Sequence, residues 1–92
     1  MRDLILPVKT EYFEQMRDGL KLEEYRLATP FWTKRLLGRA FSSVIITKGY
    51  PRRDDTSRRL RFPWRGCVCK VINHPHFGPD DVSVYAVKIG AA

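Results

Sequence analysis

Residues 19–26 combine three side chains that can bind an anion and move a proton. They follow the pattern Gly-x-Lys-x-x-Glu-x-Arg, in which Lys21, Glu24 and Arg26 carry the chemistry. Glu24 and Arg26 lie two residues apart, so on a strand they point to one face and can pair, which keeps Glu24 ionised. Lys21 has the opposite parity and reaches that face only if the chain bends after Gly19. Two cations there can bind a phosphate or polarise a carbonyl, and the carboxylate can act as a base or an acceptor.

Local signals predict the elements that position this pattern. Thr10 is the expected N-cap of a first helix that ends at Gly19, and residues 21–27 then form a strand. A second short helix begins where Thr29 caps Pro30. Apolar or alternating runs predict further strands at residues 4–8, 41–47, 59–65, 67–72 and 82–89.

The resulting order of elements is β-α-β-α-β-β-β-β. It contains no repeat and no linker, so residues 1–92 are predicted to form a single domain. Short strands outnumber the two short helices, which predicts an α+β fold built as a small barrel or a curled sheet. In the strand expected at residues 59–65, Leu60, Phe62 and Trp64 alternate with arginines, which predicts one apolar face and one cationic face.

Positive charge is concentrated in one stretch of the chain. Residues 34–70 contain eleven Lys and Arg and two Asp, a net charge of +9, whereas the whole chain carries +7. A polyanion is the natural partner of such a field, and arginine suits bidentate phosphate contacts and stacking on bases. Aromatic residues are interleaved with these cations, which favours the binding of unpaired nucleotides. The predicted nucleic-acid contacts are Lys21, Arg26, Trp32, Lys34, Arg35, Lys48, Tyr50, Arg52, Arg53, Arg58, Arg59, Arg61 and Arg65.

Two cysteines and two histidines follow closely on one another, but their spacing does not suit a zinc site. On a strand, Cys67 and Cys69 are about 6.5–7 Å apart along the backbone, whereas tetrahedral zinc holds each thiolate at ~2.3 Å. We therefore predict no metal and no cofactor, and the two cysteines are also too close for an ordinary disulfide. His74 and His76 stand in a turn-rich loop, where either could act as an acid or a base near neutral pH.

Membrane and export signals are missing from the sequence. No stretch reaches the ~18 apolar residues of a membrane span, and the N-terminal residues lack the apolar region of a secretory signal. Reduced cysteines fit the same interpretation. We therefore expect a cytoplasmic protein without a membrane partner.

The pattern at residues 19–26 resembles the signature of the ASCH domain, a member of the PUA-like β-barrel superfamily. The matching positions are Gly19, Lys21, Glu24 and Arg26. The resemblance covers nearly the whole chain, since residues 4–18, 25–27, 30–32 and the last strand after residues 74–78 look like compact bacterial and phage members. It implies a PUA-like barrel of about five to six strands with two short helices. It also implies a cleft between the helices and the barrel, with RNA as the expected ligand.

The same resemblance implies two enzymatic alternatives. Some similar proteins remove the acetyl group from N4-acetylcytidine, and others cleave RNA. The amidohydrolase group is expected to have Thr three residues after the signature Lys, whereas this chain has Glu24, which could activate water instead.

The sequence therefore supports three hypotheses about the function of the chain. The first is an RNA-binding module for unpaired nucleotides, with single-stranded DNA as the alternative ligand. The second is a small hydrolase, a ribonuclease or a nucleoside amidohydrolase, whose catalytic residues are Lys21, Glu24 and Arg26. The third is a protein-interaction role in which the basic surface meets an acidic partner.

Overall fold

The structure is a computed structural model that describes residues 2–90. In this part of the chain, two α-helices and six β-strands form in the predicted order. The elements are β1 (Leu4–Val8), α1 (Thr10–Arg17), β2 (Glu23–Leu27), α2 (Pro30–Leu36), β3 (Ser43–Lys48), β4 (Arg59–Pro63), β5 (Cys67–Ile72) and β6 (Val82–Lys88). Short 3-10 turns occur at Thr56–Arg58 and Pro75–Phe77. The predicted α+β class, with its strand and helix numbers, is confirmed.

The strands form two three-stranded sheets. The first has the order β1-β3-β4, with β1 parallel to β3 and β4 antiparallel to β3. The second has the order β2-β6-β5 and is antiparallel throughout. Within residues 2–90, no strand pairing joins the two sheets into a closed barrel, so the barrel stays a prediction.

The core lies against one face of each sheet. Leu4, Leu6 and Val8 of β1 alternate with exposed or half-buried residues, and they pack with Val44 and Ile46 of β3. The helices, strand β6 and the residue that follows it supply the rest of this cluster, namely Phe13, Met16, Leu36, Tyr85, Val87 and Ile89. Burying these side chains is the main driving force that brings the two sheets together.

Helix α1 begins at the residue predicted to cap it, Thr10, and ends where Gly19 predicts. Lys9, in an extended conformation, is the N-cap, so the prediction that Thr10 caps the helix is wrong. Thr10 instead adopts helical geometry, and Lys9 makes no side-chain capping bond. At the other end, Gly19 has φ +77°, its N–H donates to the Met16 carbonyl, and the Leu20 N–H donates to the Gln15 carbonyl. These two bonds form a Schellman motif, which turns the chain towards β2.

Helix α2 forms as predicted from its first residues. The Thr29 hydroxyl accepts a hydrogen bond from the Trp32 N–H, and Pro30 occupies the first turn. The Thr33 hydroxyl lies 2.8 Å from the Tyr85 hydroxyl, which fixes α2 to β6. None of the helices in the described part of the chain has the length and hydropathy that crossing a membrane requires.

Strand β4 is shorter than the predicted strand at residues 59–65. It ends at Pro63, and Trp64 and Arg65 lie in the segment that connects it to β5 in the other sheet. Proline lacks the N–H that would continue the ladder, and Gly66 in this connection has φ +89°. The predicted division of faces holds within β4, because Leu60 and Phe62 pack against the core whereas Arg61 is exposed.

Candidate functional site

A pocket of about 360 Å³ lies where the C-terminal ends of β1 and β3 meet β2. Its walls include Lys21, Glu24 and Arg26, so the structure brings all three predicted catalytic residues into one cavity. The other lining side chains are mostly aromatic or basic: Lys9, Tyr12, Tyr25, Tyr50, His74, His76 and Phe77. A cavity of this size falls within the range of small-ligand pockets.

Strand register explains why the signature residues face this pocket. In the β2–β6 pair, Glu24 lies opposite Val87 and Arg26 lies opposite Tyr85. Residues that are directly opposite on paired strands point to the same side of a sheet. Glu24 and Arg26 therefore share the side of the core residues, on the edge strand where that side opens into the pocket.

Glu24 is a buried carboxylate held between two cations. Its side chain is 9% exposed and lies 2.9 Å from Arg26 Nη2 and 4.0 Å from Lys21 Nζ. The Tyr25 N–H also donates to Glu24 Oε1 at 3.2 Å. Burial nevertheless raises the pKa of Glu24 above its ordinary value, against the opposing effects of Arg26 and Lys21. The predicted pairing with Arg26 forms, but burial outweighs its effect on the ionisation of Glu24.

Lys21 reaches the site because the chain bends before β2 begins. Its Nζ lies 5.2 Å from the centroid of the Tyr12 ring and 4.6 Å from that of Tyr25. Burial lowers the pKa of Lys21, although Glu24 and Glu23 oppose that shift. The pKa values of Lys21 and Glu24 therefore move towards each other, which makes proton transfer within the pocket easier than in water.

Arg26 is fixed in the pocket wall and joins the two sheets. Its Nη2 donates to Glu24 Oε2 at 2.9 Å and to the Pro7 carbonyl of β1 at 2.7 Å. Its Cζ lies 5.2 Å from the centroid of the Trp32 ring. The Nε of Arg26 is buried and has no acceptor among residues 2–90. The guanidinium is thus held by two acceptors, while its Nε has no partner in the described part of the chain.

The two adjacent glutamates have separate roles. Glu23 accepts hydrogen bonds from Lys70 Nζ at 2.6 Å and from the Tyr25 hydroxyl at 3.0 Å. It points to the opposite side of β2 from Glu24, as strand geometry predicts. Only Glu24 of the two lines the pocket.

An aromatic wall of Tyr12, Tyr25, His74, His76 and Phe77 faces the signature residues. The Tyr12 ring centroid lies 6.0 Å from that of His74 and 5.9 Å from that of His76. The Tyr25–His74 and His76–Phe77 centroid distances are 6.1 Å and 4.9 Å. Burial and the nearby cations, Lys9 foremost among them, together with His74, lower the pKa of His76, which favours its neutral form.

Sequence reasoning missed part of this wall. It assigned no site role to Tyr12, Tyr25, Lys9 or Phe77. A signal was present, because Tyr25 lies inside the signature and Phe77 directly follows the two loop histidines. Helix α1 and the loop after β5 come together only in the folded chain, so the sequence of neither segment predicts their contact.

Several predicted nucleic-acid contacts lie at the pocket end of the molecule. Tyr50 lines the pocket and is 92% exposed, and Arg52 and Arg53 follow it on the surface. Lys48 Nζ lies 5.2 Å from the centroid of the Phe13 ring. Arg59 donates to the carbonyls of Pro51 and Arg52 and so braces the loop that carries Tyr50. Arg58 is paired with Asp55 at 3.2 Å.

The remaining predicted contacts lie elsewhere. Lys34 and Arg35 line a depression with Arg2 and Arg39 at the N-terminal ends of β1 and β3, opposite the pocket. Arg61 is 3.4 Å from Asp3. Trp32 packs partly against the core, and Arg65 lines a second depression next to the pocket. The basic segment at residues 34–70 is therefore distributed over two ends of the molecule.

The described residues contain no cluster of three or more His, Cys, Asp or Glu side chains that could hold a metal ion. Cys67 and Cys69 are free thiols on β5. Cys67 packs partly against the core, where burial raises the pKa of its thiol. Neither cysteine lines the pocket.

Comparison of the chain with profiles of protein families, with characterised proteins and with solved structures gives no significant match. The assignment of a function therefore depends on the pocket and on the residue pattern that forms it.

Proposed function

We propose that this chain is an RNA-binding domain of the ASCH type, with a PUA-like fold, that takes one unpaired nucleotide into the pocket. The observation that carries the proposal is the meeting of Lys21, Glu24 and Arg26 in one cavity with a wall of aromatic rings. All four signature positions, including Gly19, are present. The order of six strands and two helices supports the same family.

The pocket offers each kind of contact that a nucleotide requires. The rings of Tyr12, Tyr25 and His74 supply apolar surface for a base, which is how unpaired bases are commonly held. Glu24 accepts hydrogen bonds from amino or imino groups of the base. Lys21 donates to a carbonyl or a phosphate, and the Arg26 guanidinium adds positive charge to the same wall.

The surface beyond Tyr50 suits the phosphates on either side of the bound nucleotide. Arg52 and Arg53 are exposed there, and Lys9, which follows the neighbouring strand β1, also lines the pocket. Single-stranded DNA carries the same phosphates and bases, so it is the natural competitor. A comparison of RNA with DNA of the same sequence measures how far the 2′-hydroxyl is recognised.

A binding titration tests the proposal. Fluorescence anisotropy with an unstructured RNA hexamer should show an affinity that falls with salt, with log K changing by ~0.7 per phosphate contacted. Lys21→Ala should weaken binding about tenfold or more, because it removes a charged donor from a buried site. Lys34→Ala removes the same charge at the far end and should have a small effect. A salt-independent affinity, or equal losses in the two variants, would contradict the proposal.

The second candidate function is hydrolysis in the same pocket. It is favoured by the raised pKa of Glu24 and the lowered pKa of Lys21, since such opposed shifts are common where proton transfer occurs. In RNA cleavage, Glu24 would accept the proton of a 2′-hydroxyl while Lys21 and Arg26 stabilise charge on the phosphate. In amide hydrolysis of an acetylated cytidine, Glu24 would activate water and Lys21 would polarise the carbonyl.

Turnover separates hydrolysis from binding. The purified chain is incubated with RNA that contains acetylated cytidine, and strand length and acetyl content are measured together. Activity in this pocket predicts that Glu24→Gln and Lys21→Ala both abolish the change. Cleavage or deacetylation that survives Lys21→Ala would come from elsewhere and would remove hydrolysis as a function of the pocket.

A further inference from the structure

A second depression of about 750 Å³ lies directly beside the pocket. The two cavities share Tyr12, Lys21, Tyr25 and His74, which therefore form a common wall one side chain thick. Lys21 Nζ lies against the rings of both tyrosines in this wall. Lys21 is thus a lining residue of both cavities.

Two of the cations that line the second depression have no ion-pair partner in the described part of the chain. Arg65 and Lys88 both line it and are exposed, and neither has a carboxylate within 4.0 Å among residues 2–90. Of the described residues that line it, Glu23 is the one acid, and its carboxylate is already bonded to Lys70 and the Tyr25 hydroxyl. The depression therefore attracts anions.

The same depression has an apolar rim. Leu20 is 78% exposed and Leu22 is 58% exposed, whereas side chains of the same kind elsewhere in this fold are buried in the core. Leu22 is held in place because its carbonyl accepts the Ile89 N–H at 2.8 Å. Exposed apolar side chains beside unpaired cations are the combination that a base and its phosphate require.

We propose that the second depression binds the nucleotide next to the one in the pocket, so that the ligand is a strand of at least two nucleotides and not a free nucleoside. This inference rests on the proposed RNA-binding function. Consecutive nucleotides are joined by one phosphodiester, and Lys21 stands where that phosphate crosses the wall. Arg65 and Lys88 then contact the following phosphate, while Leu20 and Leu22 pack against the second base.

Ligand length tests this arrangement. Random-sequence ribonucleotides of one, two and three residues, each with a terminal phosphate at the 5′ end or at the 3′ end, are titrated by calorimetry. The unmodified chain should bind dinucleotides about tenfold more tightly than mononucleotides, because one more phosphate is held by charged donors. The double variant Arg65→Ala/Lys88→Ala should lose this advantage while its mononucleotide affinity is unchanged. The double variant Lys34→Ala/Arg39→Ala removes the same charge at the opposite end and should keep the advantage.

The outcomes separate this inference from the function on which it rests. Equal affinities for one and two nucleotides, or an equal loss in both double variants, would overturn the second subsite and leave the single-nucleotide pocket standing. No binding of any of these ligands to the unmodified chain would overturn both. All four substituted residues are exposed, so thermal unfolding of the variants should match that of the unmodified chain.

Discussion

At the scale of single residues, the central feature is a carboxylate that is both paired and buried. Glu24 has two cations within 4.0 Å, yet burial raises its pKa. Glu23, one position earlier, has the opposite balance, because bonds from Lys70 and Tyr25 lower its pKa although burial opposes them. The pKa values of two adjacent glutamates are thus shifted in opposite directions because the side chains face different surroundings.

Glu24→Gln should gain stability relative to the unmodified chain as the pH rises from about 4 to about 8. With its pKa raised on folding, Glu24 binds its proton more tightly in the folded chain than in the unfolded chain. Stability therefore falls as the pH rises through the unfolded value, and the loss is complete above the folded pKa. Glutamine does not titrate and avoids this loss. Urea unfolding of both proteins across the pH series measures the difference.

Glu23→Gln is the matched control for this experiment. Its folded pKa is lowered, so its contribution to stability is present above the unfolded value and is lost as the pH falls. The control variant should therefore lose stability relative to the unmodified chain as the pH rises towards the ordinary value of 4.5, and its difference should stay constant over the higher range in which Glu24→Gln gains. If Glu24→Gln behaves like Glu23→Gln, pairing outweighs burial at Glu24 and the electrostatic account is wrong.

Tyr50→Ala should weaken RNA binding without changing stability. The ring lines the pocket and is 92% exposed, so it contributes little to the core. Loss of a stacked base typically costs about 1–3 kcal/mol. Phe31→Ala removes a ring that is 53% exposed and does not line the pocket, and it should leave the affinity unchanged. Anisotropy titrations on both variants decide whether Tyr50 contacts the ligand.

At the scale of elements, a short turn positions the most important cation. Gly19 ends α1 with φ +77°, and two hydrogen bonds to the last turn of the helix direct the chain to Lys21. Arg26 then ties β2 to β1 through the Pro7 carbonyl. The pocket therefore depends on one turn and one inter-sheet contact.

Gly19→Ala should lower the free energy of unfolding by about 1 kcal/mol. A Cβ at Gly19 would have nothing within 4 Å, so the penalty comes from the positive φ and not from a clash. Gly19→Asn should be less destabilising, because asparagine tolerates this conformation better. Urea unfolding of the three proteins gives the ranking, and equal losses for Ala and Asn would argue against a conformational cause.

Local signals in the sequence predicted these elements well. Thr29 and Pro30 mark the start of α2, and Gly19 marks the end of α1, because caps and turns depend on a few neighbouring residues. The cap at Thr10 was wrong by one residue, since Lys9 already has the extended geometry of an N-cap. The pairing of Glu24 with Arg26 was predictable from strand parity.

Features that depend on distant parts of the chain were not predictable in this way. Strand β2 pairs with β6, nearly sixty residues later, and that choice places Glu24 on the core side. Tyr12 meets His74 and His76 only because α1 packs beside the loop after β5. The raised pKa of Glu24 also follows from burial, which neither spacing nor charge alone reveals.

At the scale of the whole molecule, the positive charge has two centres. One surrounds the pocket and its neighbouring depression, and the other lies at the far ends of β1 and β3. A net charge of +7 attracts nucleic acid to any part of the surface. Specific binding therefore has to be distinguished by where the ligand is held, and not by affinity alone.

The most direct test of the account is a map of the RNA-binding surface by nuclear magnetic resonance. An isotope-labelled sample is titrated with an unstructured RNA hexamer at moderate salt, and the backbone and imidazole signals are followed. The account predicts that the largest shifts occur at the pocket, above all at Tyr12, Lys21, Tyr25, His74 and His76. Shifts centred instead on Arg2, Lys34, Arg35 and Arg39, or spread evenly over the surface, would contradict it.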